Sequence, residues 1–161
     1  MYKINDKIIY KRDICIIKEI KKKYYKETDY YCISPISDTT LTINIPVDAP
    51  SINNLLTKQE ALSIIDNISK VEPLDSNDKS LENIYKELLS TDNILDLVKI
   101  IKTTYLRNKK RVDSGKKIGD KDDTYFKKAE NYLYTLLSTS LNMTYEECKN
   151  YIIEKLEKEG N

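Results

Sequence analysis

The stretch MYKINDKIIYKRDICIIKEIKKKYYKETDYYCISPISDTTLTINIP, residues 1–46, decides the fold because its apolar residues recur at the spacing of short β-strands. Polar turns separate the strand patterns, which cover residues 2–10, 14–23, 29–34 and 40–46. In the last of them Leu41, Ile43 and Ile45 share one face. Several short antiparallel strands so close together predict a small SH3-like or Tudor-like β-barrel.

The rest of the chain carries helical patterns. Residues 47–54 contain Pro50 and are predicted to be a linker, and residues 71–77 are predicted to be a hinge. Capping boxes begin helices at Thr57 and Thr144, and Tyr105 is expected to face inward from a helix between them. We therefore predict an α+β protein with an N-terminal antiparallel β-barrel at residues 1–54 and a C-terminal all-α helical bundle at residues 55–161.

The composition argues against most kinds of catalytic site. The chain of 161 residues has no histidine, and its three cysteines are isolated in the sequence, which argues against a zinc site and against Cys/His or Ser/His catalysis. The adjacent acids at residues 122–123 and 146–147 fall at predicted helix N-termini, where the helix dipole favours acids. We expect no enzyme activity, no metal and no cofactor.

The same cysteines bear on the compartment. An odd number of isolated thiols, with no signal peptide and no apolar run of membrane-spanning length, predicts a cytoplasmic protein without a membrane partner.

The net charge of +1 hides an uneven distribution. Acidic residues outnumber basic ones seven to two over residues 72–96, whereas basic residues outnumber acidic ones eleven to four over residues 99–128. Such a basic patch can neutralise phosphates. A solvated face of a lysine-rich protein would show the same pattern, so both interpretations remain open.

Several motifs resemble those of the CarD/CdnL-like bacterial transcription regulators. Residues 2–10, YKINDKIIY, resemble the family's F-K-x-G-D-x-V-V-Y opening, and residues 41–48, LTINIPVD, resemble its L-T-V-x-V-P strand. Further on, residues 88–92 resemble its L-x-S-G-D junction, and residues 97–107 resemble its L-A-E-V-V-R-D-L-Y-R-R helix. The similarity follows the order of the chain over nearly its whole length.

The resemblance implies a transcription regulator, associated with the nucleoid, in two working parts. The N-terminal module, shared with the RNA-polymerase-interacting domain of the transcription-repair coupling factor, would bind the β subunit of RNA polymerase. The helical module would contact promoter DNA at the upstream edge of the bubble and tune open-complex stability. The implied polymerase-binding residues are Lys23, Ile43 and Asn44. Resemblance and charge together predict that DNA is contacted, mostly at phosphates, by Asn77, Lys79, Arg107, Lys109, Lys110, Arg111, Lys127 and Lys128.

The chain departs from the family pattern at several of these positions. Lys23 replaces an arginine and lacks its bidentate fork, and Asn44 replaces an arginine and lacks its charge. The family's tryptophan wedge falls near Asn77, which cannot fill an unstacked base step but could hydrogen-bond a base edge. A further family basic position falls at Asp123, and the glycine expected after the first strand is absent. These differences indicate a divergent member.

An alternative follows from the same differences. The chain could be a protein-interaction adaptor of this fold that binds RNA polymerase or another partner without touching DNA, which the acidic stretch at residues 72–96 favours. Either protein would be a monomer or a weak dimer, edge-paired or domain-swapped, because an exposed β-edge can pair with a second copy.

Overall fold

The computed structural model describes residues 1–75, 77 and 79–159, apart from the side chains of Glu157 and Glu159. The predicted α+β class is confirmed, because an antiparallel sheet precedes a helical region. The chain divides into two compact units, Met1–Leu55 and Leu56–Asn161, here called the β unit and the helical unit. The predicted hinge at residues 71–77 falls within the helical unit and includes Ser76, which lies outside the described residues.

The β unit is a five-stranded antiparallel sheet in the order β4-β3-β2-β1-β5. Its core consists of side chains that the strand periodicity turns to one side, among them Ile8, Ile17 and Ile33, each fully buried. The strands are β1 (Lys7–Tyr10), β2 (Asp13–Tyr25), β3 (Thr28–Pro35), β4 (Ile43–Pro46) and β5 (Ile52–Asn54).

Two hairpin turns have charged residues in the left-handed region, which glycine favours. Between β1 and β2 the turn residues are Lys11 and Arg12, with φ of 47° and 75°. Between β2 and β3 they are Lys26 and Glu27, with φ of 49° and 61°. Two-residue turns with positive φ match the twist of hairpin strands, but they favour asparagine and glycine. The turn at Lys11 and Arg12, where the resemblance predicts a glycine, thus adopts the left-handed conformation that glycine favours.

Two details of the predicted β region are wrong. Residues 47–54 are not a linker throughout, because Ile52–Asn54 forms β5 and pairs with β1. The last predicted strand begins at Ile43 rather than residue 40, since Asp38 accepts a hydrogen bond from the Thr40 backbone N–H (3.1 Å) and turns the chain there. Leu41 consequently lies outside the strand and is half exposed.

The helical unit is organised around α4, which contacts the other four helices. The helices are α1 (Lys58–Asn67), α2 (Leu81–Leu89), α3 (Leu95–Asp113), α4 (Asp120–Leu141) and α5 (Tyr145–Glu159), with a 3-10 turn at Ile68–Lys70. Both capping boxes are confirmed: the Thr57 and Thr144 hydroxyls each accept from a backbone N–H three residues on. Among the described residues, no helix is both long and apolar enough to cross a membrane.

The prediction for Tyr105 is wrong, since its side chain is 56% exposed. The buried face of α3 instead carries Ile100, Thr103 and Thr104. The two threonines are tolerated there because their hydroxyls donate to the carbonyls of Lys99 and Ile100, both at 2.7 Å. Because threonine counts as polar in a hydrophobic pattern, the pattern pointed to Tyr105 as the buried position instead of its neighbour Thr104.

Candidate functional site

The C-terminal end of α3 is fixed by the loop that follows it. Gly115 ends the helix in the left-handed conformation, with φ of 78°. The loop then folds back, because Arg111 Nε donates to the Lys117 carbonyl (2.9 Å) and Asn108 Oδ1 accepts from the Gly119 backbone N–H (2.9 Å). This places Lys116 beside the last turns of α3.

The segment before α2 runs along the same helix. Lys102 Nζ donates to the Val71 carbonyl (2.7 Å), and the Leu74 backbone N–H donates to Thr103 Oγ1 (2.8 Å). Val71 and Leu74 also pack against the core of the helical unit. Partial burial lowers the pKa of the Lys102 ammonium, as expected for a charge that has lost water on one side.

The loop after α3 and the segment before α2 border a cleft of about 390 Å³ beside the end of α3, here called the basic cleft. Its apolar lining comes from Pro73, Leu74 and Leu106, and its cationic lining from Arg107, Lys110, Arg111 and Lys116. Asn77, Thr103 and Ser114 complete it. Of the described residues that line the cleft, none is acidic. The arrangement can hold an anion that also carries an apolar part.

Arg107 is anchored by a buried polar network. Its Nε donates to Asp122 Oδ2 (2.8 Å), and the Tyr85 hydroxyl donates to Asp122 Oδ1 (3.1 Å). The hydrogen bond to Asp122 raises the pKa of the Arg107 guanidinium, and burial raises the pKa of Tyr85 above its usual range. Through Asp122 this network links Arg107 on α3 to α4 and to Tyr85 on α2. The Arg107 side chain is still 35% exposed, so it also lines the cleft.

The structure brings together only part of the predicted DNA-binding set. Asn77, Arg107, Lys110 and Arg111 line the basic cleft, and Lys79 lines a neighbouring cleft with Arg107 and Arg111. That second cleft of about 570 Å³ has mixed charge, because Glu82, Asp120 and Asp122 also line it.

The other predicted DNA-binding lysines lie elsewhere. Lys109 lines an apolar groove of about 300 Å³ with Tyr105, Val112, Ile118 and Phe126. Lys127 is exposed and pairs with Asp123 at 2.9 Å, one turn earlier on α4. Lys128 is exposed on the same helix, and neither Lys127 nor Lys128 lines any of these three spaces.

In the β unit the predicted polymerase-binding residues are spread over two strands. Lys23 lies at an irregular point of β2 with φ of 48°, and its ammonium is 3.5 Å from Glu27 Oε2. Ile43 opens β4 and packs against the sheet's core, while Asn44 is exposed opposite Cys32. Across the sheet, Asn44 of β4 is opposite Cys32 of β3, and Cys32 is opposite Glu19 of β2. Lys23 is therefore not beside Asn44.

The basic patch predicted over residues 99–128 includes Lys116, but the predicted DNA-binding set leaves it out. Nothing in the sequence marked Leu106 as a cleft residue or indicated the network around Asp122. Helical spacing could have grouped part of the cleft, because Thr103, Arg107, Lys110 and Ser114 follow one another at three-residue or four-residue intervals. The pairing of Asp122 with Tyr85 joins residues 37 positions apart, which no local pattern reveals.

The remaining groups of chemical interest are possible metal ligands and the thiols. Among the described residues, no group of three or more His, Cys, Asp and Glu side chains is placed to hold a metal ion. All three cysteines are free thiols and buried, and burial raises the pKa of Cys15 to about 11.

No protein-family model matches this sequence, and no curated protein matches it either. The resemblance to the CarD/CdnL-like regulators therefore stands on the quoted motifs alone.

Proposed function

We propose that this chain is a CarD-like transcription regulator that binds the β subunit of RNA polymerase through its β unit and promoter DNA through its helical unit. The observation that carries the proposal is the convergence of Arg107, Lys110, Arg111 and Lys116 on one cleft. The cleft lies at the end of the helix whose residues 97–107 resemble a family motif.

The β unit supports the polymerase half of the proposal through its topology. β2 spans 13 residues and contains two register shifts, which bend a strand and increase its twist. Such a strand would let the open five-stranded sheet curl towards the small Tudor-like barrel that the family pattern implies. The polymerase-facing residues would be Lys23, Ile43 and Asn44, and β4 would offer its outer edge to the partner.

The helical unit would hold DNA near the upstream edge of the melted bubble by phosphate contacts. Lys110 and Lys116 form none of the ion pairs found among the described residues. Their charge is therefore available to neutralise phosphates and to release counterions. Asn77, near the position of the family tryptophan, lines the same cleft and can offer a hydrogen bond where the family offers an apolar wedge.

Retention of the polymerase β subunit on the immobilised full-length chain tests the first half. The wild-type chain is expected to retain the subunit, and the double variant Lys23→Glu/Asn44→Glu is expected to lose it because it adds negative charge at both predicted contacts. Lys3→Glu, an exposed change elsewhere in the β unit, serves as the matched control. No retention by the wild-type chain, or equal loss in the control, contradicts the proposal.

A second candidate is an adaptor that binds polymerase without touching DNA. The pairing of Arg107 with buried Asp122 favours it, because Arg107, which keeps an arginine of the family's helix motif, already has a carboxylate partner. A gel-shift assay with forked promoter DNA separates the two candidates. Retention of the polymerase subunit with no DNA shift would support the adaptor.

A further inference from the structure

We propose that the basic cleft also binds a small phosphorylated ligand, a nucleoside diphosphate or triphosphate. The inference goes beyond the proposed regulator function: the nucleotide would share residues with the DNA contact, but its binding needs neither DNA nor polymerase.

The shape of the cleft favours a ligand that enters it. Its volume of about 390 Å³ falls within the range of small-molecule sites. The phosphates of a duplex lie on the outside of a broad cylinder, so they can reach cations at the edge of the cleft but cannot fill it. A nucleotide, in contrast, can place its phosphates against the cations and its base inside.

The apolar lining gives the base a place. Pro73, Leu74 and Leu106 line the cleft, and Leu106 is 48% exposed although it is apolar. A duplex backbone could cover these side chains only with the small C–H groups of its sugars, whereas the planar base of a nucleotide has two broad apolar faces. Asn77 lines the same space, and its amide can both donate and accept at a base edge.

The charges suit a polyphosphate. The cleft has four cations, and Asp122 offsets one of them by pairing with Arg107 at 2.8 Å. Three remain, namely Lys110, Arg111 and Lys116, and no described lining residue is acidic. Arg111 is held in place because its Nε donates to the Lys117 carbonyl. A diphosphate or triphosphate supplies a comparable negative charge in one compact group, and charge-assisted hydrogen bonds are the strong ones.

Calorimetric titration of the full-length chain tests the inference, with ATP and ADP as ligands and with pyrophosphate and adenosine as their separate parts. Mg²⁺ is omitted because it would neutralise the phosphates. ATP and ADP are expected to saturate one site, and each part is expected to bind at least about tenfold more weakly, because it fills only one half of the cleft.

Three variants locate the site. Lys110→Glu is expected to weaken ATP binding by roughly tenfold or more. Lys109→Glu is the matched control: it changes the neighbouring residue, which lines the apolar groove instead, and should change the affinity less than about twofold. Leu106→Ser should weaken ATP binding and leave pyrophosphate binding unchanged, because it removes only apolar lining.

Three outcomes would overturn the inference. These outcomes are no saturable ATP binding, pyrophosphate binding as tightly as ATP, or equal losses in the Lys109 and Lys110 variants. A parallel shift assay with forked DNA keeps the two proposals apart. A DNA shift without ATP binding overturns the nucleotide site and leaves the DNA contact standing, whereas ATP binding without a DNA shift supports the nucleotide site and contradicts the DNA contact.

Discussion

Two lysine-rich runs that look alike in the sequence have opposite surroundings in the structure. The run at residues 21–23 belongs to the β2–β3 hairpin, where Lys22 lies 3.2 Å from Asp29 and Lys23 lies 3.5 Å from Glu27. Lys21 Nζ sits 4.7 Å from the centre of the Tyr24 ring. Each lysine of this run therefore has a partner that the hairpin itself supplies.

The run at residues 109–111 divides between two faces of α3. Lys110 and Arg111 turn to the basic cleft, where they meet Arg107 and Lys116, while Lys109 turns to the apolar groove. A run of like charges thus predicts an anion-binding surface only where the fold gathers cations and, among the described residues, pairs only a minority of them with acids. The hairpin fails that condition, and the basic cleft meets it.

The largest expected effect concerns the buried pair that holds the basic cleft in shape. Asp122→Ala removes the acceptor of both Arg107 and Tyr85, and we expect the free energy of unfolding to fall by roughly 2–3 kcal/mol, less than for a fully buried pair because Arg107 is partly exposed. Asp123→Ala, whose partner Lys127 is exposed, should cost no more than about 0.5 kcal/mol. Urea unfolding measures both, and equal losses would mean that the network contributes nothing special.

The next effect separates the two lysine runs directly. Lys110→Glu should weaken binding to duplex DNA by roughly tenfold and reduce the slope of log affinity against log salt by about one, because one phosphate contact is lost. Lys109→Glu and Lys22→Glu should change both quantities much less, since neither lysine lines the basic cleft. For Lys109 this expectation replaces the sequence-based prediction of a DNA contact, because Lys109 lines the apolar groove. Fluorescence anisotropy at several salt concentrations measures this. A loss with Lys22→Glu as large as that with Lys110→Glu would remove the distinction between the runs.

A smaller effect concerns the turn next to the first run. Glu27 holds a φ of 61°, so Glu27→Gly should raise the free energy of unfolding by about 0.5–1 kcal/mol, since the left-handed strain exceeds the added flexibility of glycine. The exposed pair with Lys23 is lost as well, but such pairs contribute little. The control Lys128→Gly, inside α4, should lower stability by about 1 kcal/mol. Destabilisation by both changes would contradict the turn assignment.

The smallest effect is a titration in the hairpin. The backbone N–H of Lys23, and then the Lys22 ammonium, hold the pKa of Asp29 below its ordinary value of 3.8. The stability that the ionised Asp29 carboxylate contributes is therefore fully present above pH 3.8, and it is lost as the pH falls through the lowered pKa of the folded state. Carboxyl-carbon NMR of wild type and Lys22→Met measures it. The variant should move the pKa only part of the way back, because the backbone N–H of Lys23 is the larger cause.

Local patterns predicted the elements of this chain better than they predicted the site. Strand alternation and two capping boxes identified most strands and two helix starts, because these signals lie within a few residues of one another. β5 escaped because Ile52–Asn54 has one apolar residue and pairs with a distant strand. The basic cleft was predicted only in part, because one side of it depends on the hydrogen bond from the Leu74 backbone N–H to Thr103 of α3. These two residues are 29 positions apart, and only packing of the folded unit brings them together.

The lifetime of a promoter open complex, with the cognate polymerase, tests the central claim most directly. We expect the wild-type chain to change that lifetime, Lys109→Glu to act as wild type, and Lys110→Glu to lose the effect, because the basic cleft would hold DNA while the β unit holds polymerase. Identical decay with and without the protein, under conditions where polymerase and DNA form the complex normally, would contradict the account.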